Sequence, residues 1–148
     1  MAIGLDDVVA AETTLSDVDG LAGRLIIRGR SLDELAGHTT AEDLLRLLLD
    51  GEFDRLPSSA DLAAARTEIF RRFLPELTGL ASLPVFDAAR AVIARLPDDQ
   101  TLETALLLVA APAVVVPALL RLRAGKAAVP PDPGAAHAAD SLRMVNGT

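Results

Sequence analysis

The 148-residue chain has no cysteine, no tryptophan and no tyrosine. Without cysteine there is no disulfide framework, no thiolate nucleophile and no cysteine-type zinc site. Aromatic bulk comes from four phenylalanines alone, so packing must rest on aliphatic side chains. Basic residues are also scarce. Against 21 Asp and Glu stand 14 Lys and Arg, for a formal net charge of −7. An acidic surface repels phosphate backbones and anionic lipid, which argues against nucleic acid and membrane as partners. The opening MAIGLDDVVAAE has no basic segment followed by an apolar one. No secretory signal is read there, and a cytoplasmic location is expected.

Leu, Ala and Val are abundant instead. Hydrophobic residues make up 51% of the chain, which excludes disorder by composition. Ala and Leu favour helices, and the length suits one domain. The run Thr104–Leu120 carries no charge, and its length lies at the lower edge of what spans a bilayer. Pro112 and Pro117 interrupt it and no second span follows. It is therefore expected to be a helix buried in protein, and a small membrane protein is the least favoured reading.

Element by element, residues 1–13 show no clear period. Thr14–Val18 and Arg24–Arg28 read as two strands joined by a five-residue loop, Asp19 to Gly23. Ser31 with Glu34 forms a capping-box pattern that opens a short helix ending near Gly37. Thr39 with Glu42 repeats that pattern and opens a helix to about Asp50, with Leu44, Leu45 and Leu48 inward. Ser58 and Asp61 cap a third helix, whose stripe is Leu62, Ala65, Ile69, Phe70 and Phe73. Pro75 should end it. Pro84 starts a helix over 85–96, with Phe86, Ala89, Ile93 and Leu96 as one stripe and Val85, Ala88 and Val92 as the next. Thr101 opens a helix over 101–123, kinked or broken at its prolines. A proline-rich connector, 126–134, leads to a last helix over 135–145.

Chemistry read from residues alone is sparse. His38 precedes a helix cap and His137 follows a proline-rich loop, as solvated residues would. Glu12, Asp17 and Asp19 lack the further ligands of a calcium loop, and turn-forming Asp is the simpler role. Gly20 to Gly23 lacks the features of a phosphate loop, and Ser16 and Ser31 lack a nucleophile-elbow context. Arg66, Arg71 and Arg72 lie away from the apolar stripe and read as a solvated helix face rather than an anion site.

The N-terminal segment is more specific. Gly4-Leu5-Asp6-Asp7-Val8-Val9-Ala10-Ala11-Glu12-Thr13 is followed by Ser16-Asp17-Val18-Asp19-Gly20, Gly23-Arg24-Leu25 and Arg28-Gly29. This order resembles the opening of the citrate synthase family. Ser31–Leu35, the Leu-rich stretch from Glu42 to Glu52, and Leu56-Pro57 are similar to the segments that follow there. So are Pro117 to Lys126 and Ala138 to Gly147. The departures are Ile27 in place of an aromatic, Leu83-Pro84-Val85 in place of His-Pro-Met, and a shorter loop before the 101–123 helix.

The resemblance implies a mainly α fold, the N-terminal portion of the large helical domain with a short N-terminal β-hairpin. It implies one partial domain over 1–148, with the hairpin segment in 1–30 and helices in 31–148. It also implies an acyltransferase that condenses acetyl-CoA or propionyl-CoA with oxaloacetate, in the tricarboxylic acid cycle or a related step, without a metal. Acyl-CoA would be a substrate, and no cofactor is expected. The family's two histidines, its aspartate and its carboxylate-binding arginines lie in motifs C-terminal to these positions. Neither His38 nor His137 matches one, so the chain reads as truncated and inactive alone, with no catalytic, cofactor-binding or metal residue assigned. The helices near 85–96 and 101–123 resemble the pair that packs across the family's dimer interface. Homodimerisation, or union with the C-terminal part of the synthase, is expected through them. The alternative reading is a non-catalytic interaction module or one subunit of a split synthase.

Overall fold

A computed structural model describes residues 12–147. The stretch Gly4–Ala11 of the opening motif lies outside the described residues. The chain divides into two compact units between Leu48 and Leu49.

In the first unit, β1 (Ser16–Asp19) and β2 (Arg24–Ile27) pair antiparallel, with Ser16 opposite Ile27 and Asp19 opposite Arg24. Asp19 thus belongs to the strand, and the expected loop narrows to Gly20–Gly23. Its Oδ1 accepts from the Leu21 and Ala22 amides at 3.2 and 2.9 Å, so turn formation is its role. A third strand that the sequence did not suggest, β3 (Arg30–Ser31), pairs with β2 through Ile26–Ser31 and Ile27–Arg30. The turn between them places Arg28 at φ 46° and Gly29 at φ 78°. Two positive φ values match the mirror-image turn that suits strand twist. Arg28 is held in this uncommon conformation by bonds from its guanidinium to Thr14 Oγ1 (3.1 Å) and the Leu48 carbonyl (3.0 Å).

Helix α1 (Leu32–Leu35) opens with the expected capping box. Ser31 Oγ accepts from the Glu34 amide, and Glu34 Oε2 accepts from the Ser31 amide. Helix α2 (Ala41–Leu48) is capped one residue later than expected: Thr40, not Thr39, accepts from the Asp43 amide at 3.1 Å. Leu44, Leu45 and Leu48 are only half-buried.

The second unit is built around one helix. α3 (Ser59–Leu80) starts at the Ser58–Asp61 capping box and runs straight through Pro75. Proline inside a helix costs about 3 kcal/mol. Phe73 and Leu77, on either side of it, have no exposed surface, and each such burial contributes about 1.5–3 kcal/mol. Packing therefore outweighs the missing backbone bond. The same holds in α5 (Leu102–Arg123), which continues through Pro112 and Pro117 without the expected break. Pro117 is itself buried.

α4 (Val85–Ile93) is shorter than the expected 85–96 because its end tightens. The Arg95 and Leu96 amides bond Val92 and Ile93, three residues back. Ala88, Ala89 and Val92 face inward, whereas Phe86 is 72% exposed with the Arg90 guanidinium 5.4 Å from its ring centroid. α6 (His137–Asn146) ends on Gly147 in the left-handed conformation. α5 packs on α3, α4 and α6. Ala110, Ala111 and Ala118, with no exposed surface, let the neighbouring backbones approach closely. α5 is long and apolar enough to cross a membrane, but half of its apolar window is buried in protein, and it serves here as the core helix.

Candidate functional site

The residues that the sequence singles out do not converge. His38 is exposed, and its amide donates to the Leu35 carbonyl. His137 opens α6 and is half-buried. Asp17 is exposed and faces Arg24 at 3.8 Å. Ser16 sits in an exposed strand, and Ser31 is a helix cap. Among the described residues, no three His, Asp or Glu side chains stand close enough to hold a metal ion.

The three arginines of α3 separate. Arg71 is exposed and pairs with Glu68 on the same helix at 2.7–2.8 Å. Arg72 donates to the Arg95 carbonyl and lies 5.2 Å from the Phe73 ring centroid. Arg66 corrects the solvated-face reading, for it is 1% exposed. Its Nε donates to Asp140 Oδ2 at 2.9 Å, and its Nη2 donates to the carbonyls of Asp132 and Ala135 at 3.2 and 2.8 Å. Asp140 has no exposed surface. It also accepts from the Asp132 amide at 3.1 Å and from Arg143 at 2.8–3.0 Å. Arg143 reaches on to the Pro130 carbonyl at 2.6 Å. A buried charge is tolerated only when paired and hydrogen-bonded, and here two arginines and an amide saturate one carboxylate. The node pins the proline-rich connector to α3 and α6. Its distant partners gave no local signal: Arg66 and Asp140 lie 74 positions apart.

Arg121 and Arg123, in the last turn of α5, act as carbonyl clamps. Arg121 donates to Ala127 at 2.7 Å, and Arg123 donates to Ala81 and Leu83 at 3.0 and 2.5 Å.

A cleft of about 470 Å³ lies between the N-terminal halves of α3 and α5. It is lined by Ala64, Ala65, Leu102, Leu106 and Leu107 and by the charged Arg55, Asp61, Glu68 and Glu103. Arg55 grips Asp61 with two bonds of 2.7 and 2.9 Å. Those bonds, with further ones from Ser58, hold the Asp61 carboxyl well below the usual carboxylate range. The Arg71 hydrogen bond lowers Glu68 in the same way. Both carboxylates are therefore charged at neutral pH and act as acceptors. General acid–base chemistry calls for a group tuned near the operating pH, and these two are tuned away from it.

The comparisons with known proteins agree with one another. The family model described as "Citrate synthase, C-terminal domain" matches residues 4–148. Citrate synthase of Acidithiobacillus ferridurans is 30% identical over 99% of this chain and 43% of its own length. That of Haloferax volcanii is 30% identical over 97% and 43%. The crystal structure of citrate synthase from Thermotoga maritima superposes with a TM-score of 0.82 at 25% identity, covering 98% of this chain and 41% of that one. The structure from Pyrobaculum aerophilum gives 0.72 at 26%, over 97% and 42%. The chain spans less than half the length of the curated relatives it matches. Fold, motif order and relatives agree, and the chain belongs to the citrate synthase family.

Proposed function

We propose that these residues form the N-terminal part of the large domain of a cytoplasmic enzyme that condenses acetyl-CoA or propionyl-CoA with oxaloacetate, and that they serve as scaffold and subunit interface, not as the source of the reacting groups. The matching family model is described by the C-terminal domain. The N-terminal placement rests instead on the motif order from Gly4 to Gly29. The whole of 1–148 is read as one partial domain. No metal or cofactor is assigned to it, and acyl-CoA enters as substrate.

The observation that carries the interface role is the outer face of α5. Ala105, Leu108, Val109, Pro112, Ala113, Val116 and Leu120 recur at helical spacing without a charge. All are half-buried or exposed, with Leu108 and Leu120 each at 43%. A continuous apolar stripe of this kind marks an interaction surface. Its occupant in this reading is a second copy or the remainder of the synthase.

Two measurements test it. Sedimentation of the 148-residue chain should show concentration-dependent association, lost in Leu108→Asp/Val116→Asp; a monomer at micromolar concentration would remove the second copy as occupant. Release of CoA from acetyl-CoA and oxaloacetate should be absent for this chain alone and present once the remainder of a synthase is added. Turnover by the chain alone would overturn the scaffold reading. Self-association with no gain on mixing would favour the alternative, a non-catalytic interaction module.

A further inference from the structure

Asn146 is the chain's only asparagine, and Gly147 follows it. Asparagine is a thermolabile residue, and a glycine after it makes it more so, because no Cβ shields the next main-chain nitrogen. That nitrogen can attack the side-chain amide carbon. A bond forms between Gly147 N and Asn146 Cγ, the Cγ–Nδ2 bond breaks, and ammonia leaves with the proton taken from the Gly147 N–H. The product is a cyclic imide, which water opens at either carbonyl to give aspartate or isoaspartate. The structure shows why glycine stands here. Its φ of 84° is left-handed and closes α6, and a Cβ at this position would collide with the Arg121 guanidinium. Packing against the end of α5 thus demands the glycine that makes Asn146 reactive.

The same turn restrains the reaction. Asn146 is exposed but lies in the last turn of α6. The attacking group, the Gly147 amide, donates to the Arg143 carbonyl at 2.8 Å. Attack needs that bond broken and the Asn146 ψ turned out of the helical range. Arg143 is itself anchored, because its guanidinium bonds Asp140 Oδ1 at 2.8–3.0 Å and the Pro130 carbonyl at 2.6 Å. Arg121 adds a bond to the Val145 carbonyl at 3.4 Å.

We infer that Asn146 is a self-modification site, converted to aspartate or isoaspartate at a rate set by opening of the last turn of α6, and that Arg143 and Arg121 hold this turn closed. Helix ends open at far lower cost than a packed core, so the reaction needs no unfolding of α3 and α5. Both products exchange a neutral amide for a carboxylate. Isoaspartate also adds a carbon to the main chain just before Gly147, which puts the Gly147 amide out of register with the Arg143 carbonyl.

The test incubates the intact chain at mildly alkaline pH and follows residue 146 by peptide mass spectrometry, with chromatography to separate the aspartate and isoaspartate forms. A free peptide with the sequence of residues 143–148 serves as the unrestrained reference. The native chain should react about tenfold more slowly than the peptide or slower still, as an opening cost of ~1.4 kcal/mol or more gives. Arg143→Gln and Arg121→Gln, each checked for an intact melting transition, should each speed it by about threefold, as expected for lost hydrogen bonds. Asn146→Gln should show no reaction over the same time, because the larger ring closes slowly. Amide exchange in the unmutated chain gives a reading that no variant's folding confounds: protection of the Gly147 N–H should match the slowing of the imide reaction. A native chain that reacts as fast as the peptide, folded arginine variants that react no faster than wild type, or a Gly147 amide without protection would overturn the inference. None of these readouts depends on turnover of acyl-CoA.

Discussion

Residues 12–48 bury one apolar side chain, Leu35, whereas the other buried apolar side chains of the described residues lie within 49–147. The first unit holds its shape by short-range polar devices: the Asp19 turn, the Ser31–Glu34 box and the Arg28 clamp. The second holds its shape by a close-packed aliphatic core with an ion cluster at its edge. Local devices fix conformation cheaply in sequence but add little cooperative stability. A packed core adds stability, but it makes each central side chain depend on residues far away in the chain. The two units should therefore respond differently to the same kind of damage.

The largest expected effect is at Asp140. Asp140→Ala leaves the Arg66 guanidinium buried without its counter-charge, and urea unfolding should show a loss of about 3–5 kcal/mol. Arg66→Met/Asp140→Leu should cost less than that single change. Equal costs would mean that the stranded Arg66 charge is not the source of the loss.

Next come the two leucines. Leu77→Ala in α3 should cost about 2–5 kcal/mol of global stability. Leu35→Ala should leave the main unfolding transition of residues 49–147 in place and speed amide exchange only in 12–48. A common shift in both would merge the units into one cooperative whole.

Cap removal is a smaller break. Ser58→Ala and Ser31→Ala should each cost about 1 kcal/mol. The first should appear in global melting and the second only as faster exchange across α1.

The smallest effect is with pH. The Asp61 carboxyl is depressed in the folded state, so its contribution is fully present above the unfolded value of about 3.9. It is lost as pH falls through the lower folded value. Wild type should therefore lose slightly more stability than Asp61→Asn between about pH 4 and pH 2. Parallel curves would count against the Arg55–Asp61 pair as a stabilising contact.

The same contrast explains what the sequence revealed. Ser31 with Glu34 and Ser58 with Asp61 are three residues apart, and both boxes formed as read. The hairpin was legible for the same reason. β3 was not, because Arg28-Gly29 lacks the Asn-Gly or Asp-Gly signature and the turn depends on a guanidinium reaching Thr14 and Leu48. Pro75, Pro112 and Pro117 read as breaks because local cost is visible in sequence and tertiary compensation is not. Phe86 shares a stripe with Ala89 and Leu96, which are buried while it is exposed, because period alone does not say where along a stripe the covering elements stop. Arg66 read as surface because its counter-charge, Asp140, is 74 positions away. The cleft of α3 and α5 had no signal at all, since its lining joins residues 64–65 to residues 102–107.

The buried carboxylate also has a consequence in time. Loop-closure entropy delays contacts between distant residues, and Arg66 must wait for a partner 74 positions downstream. Until Asp140 has left the ribosome, a cation sits on the face of α3 that the core is to cover. The α3–α5 pair can collect early, but Arg66 gains its counter-charge only when α6 arrives, so α6 sets the moment at which this unit closes.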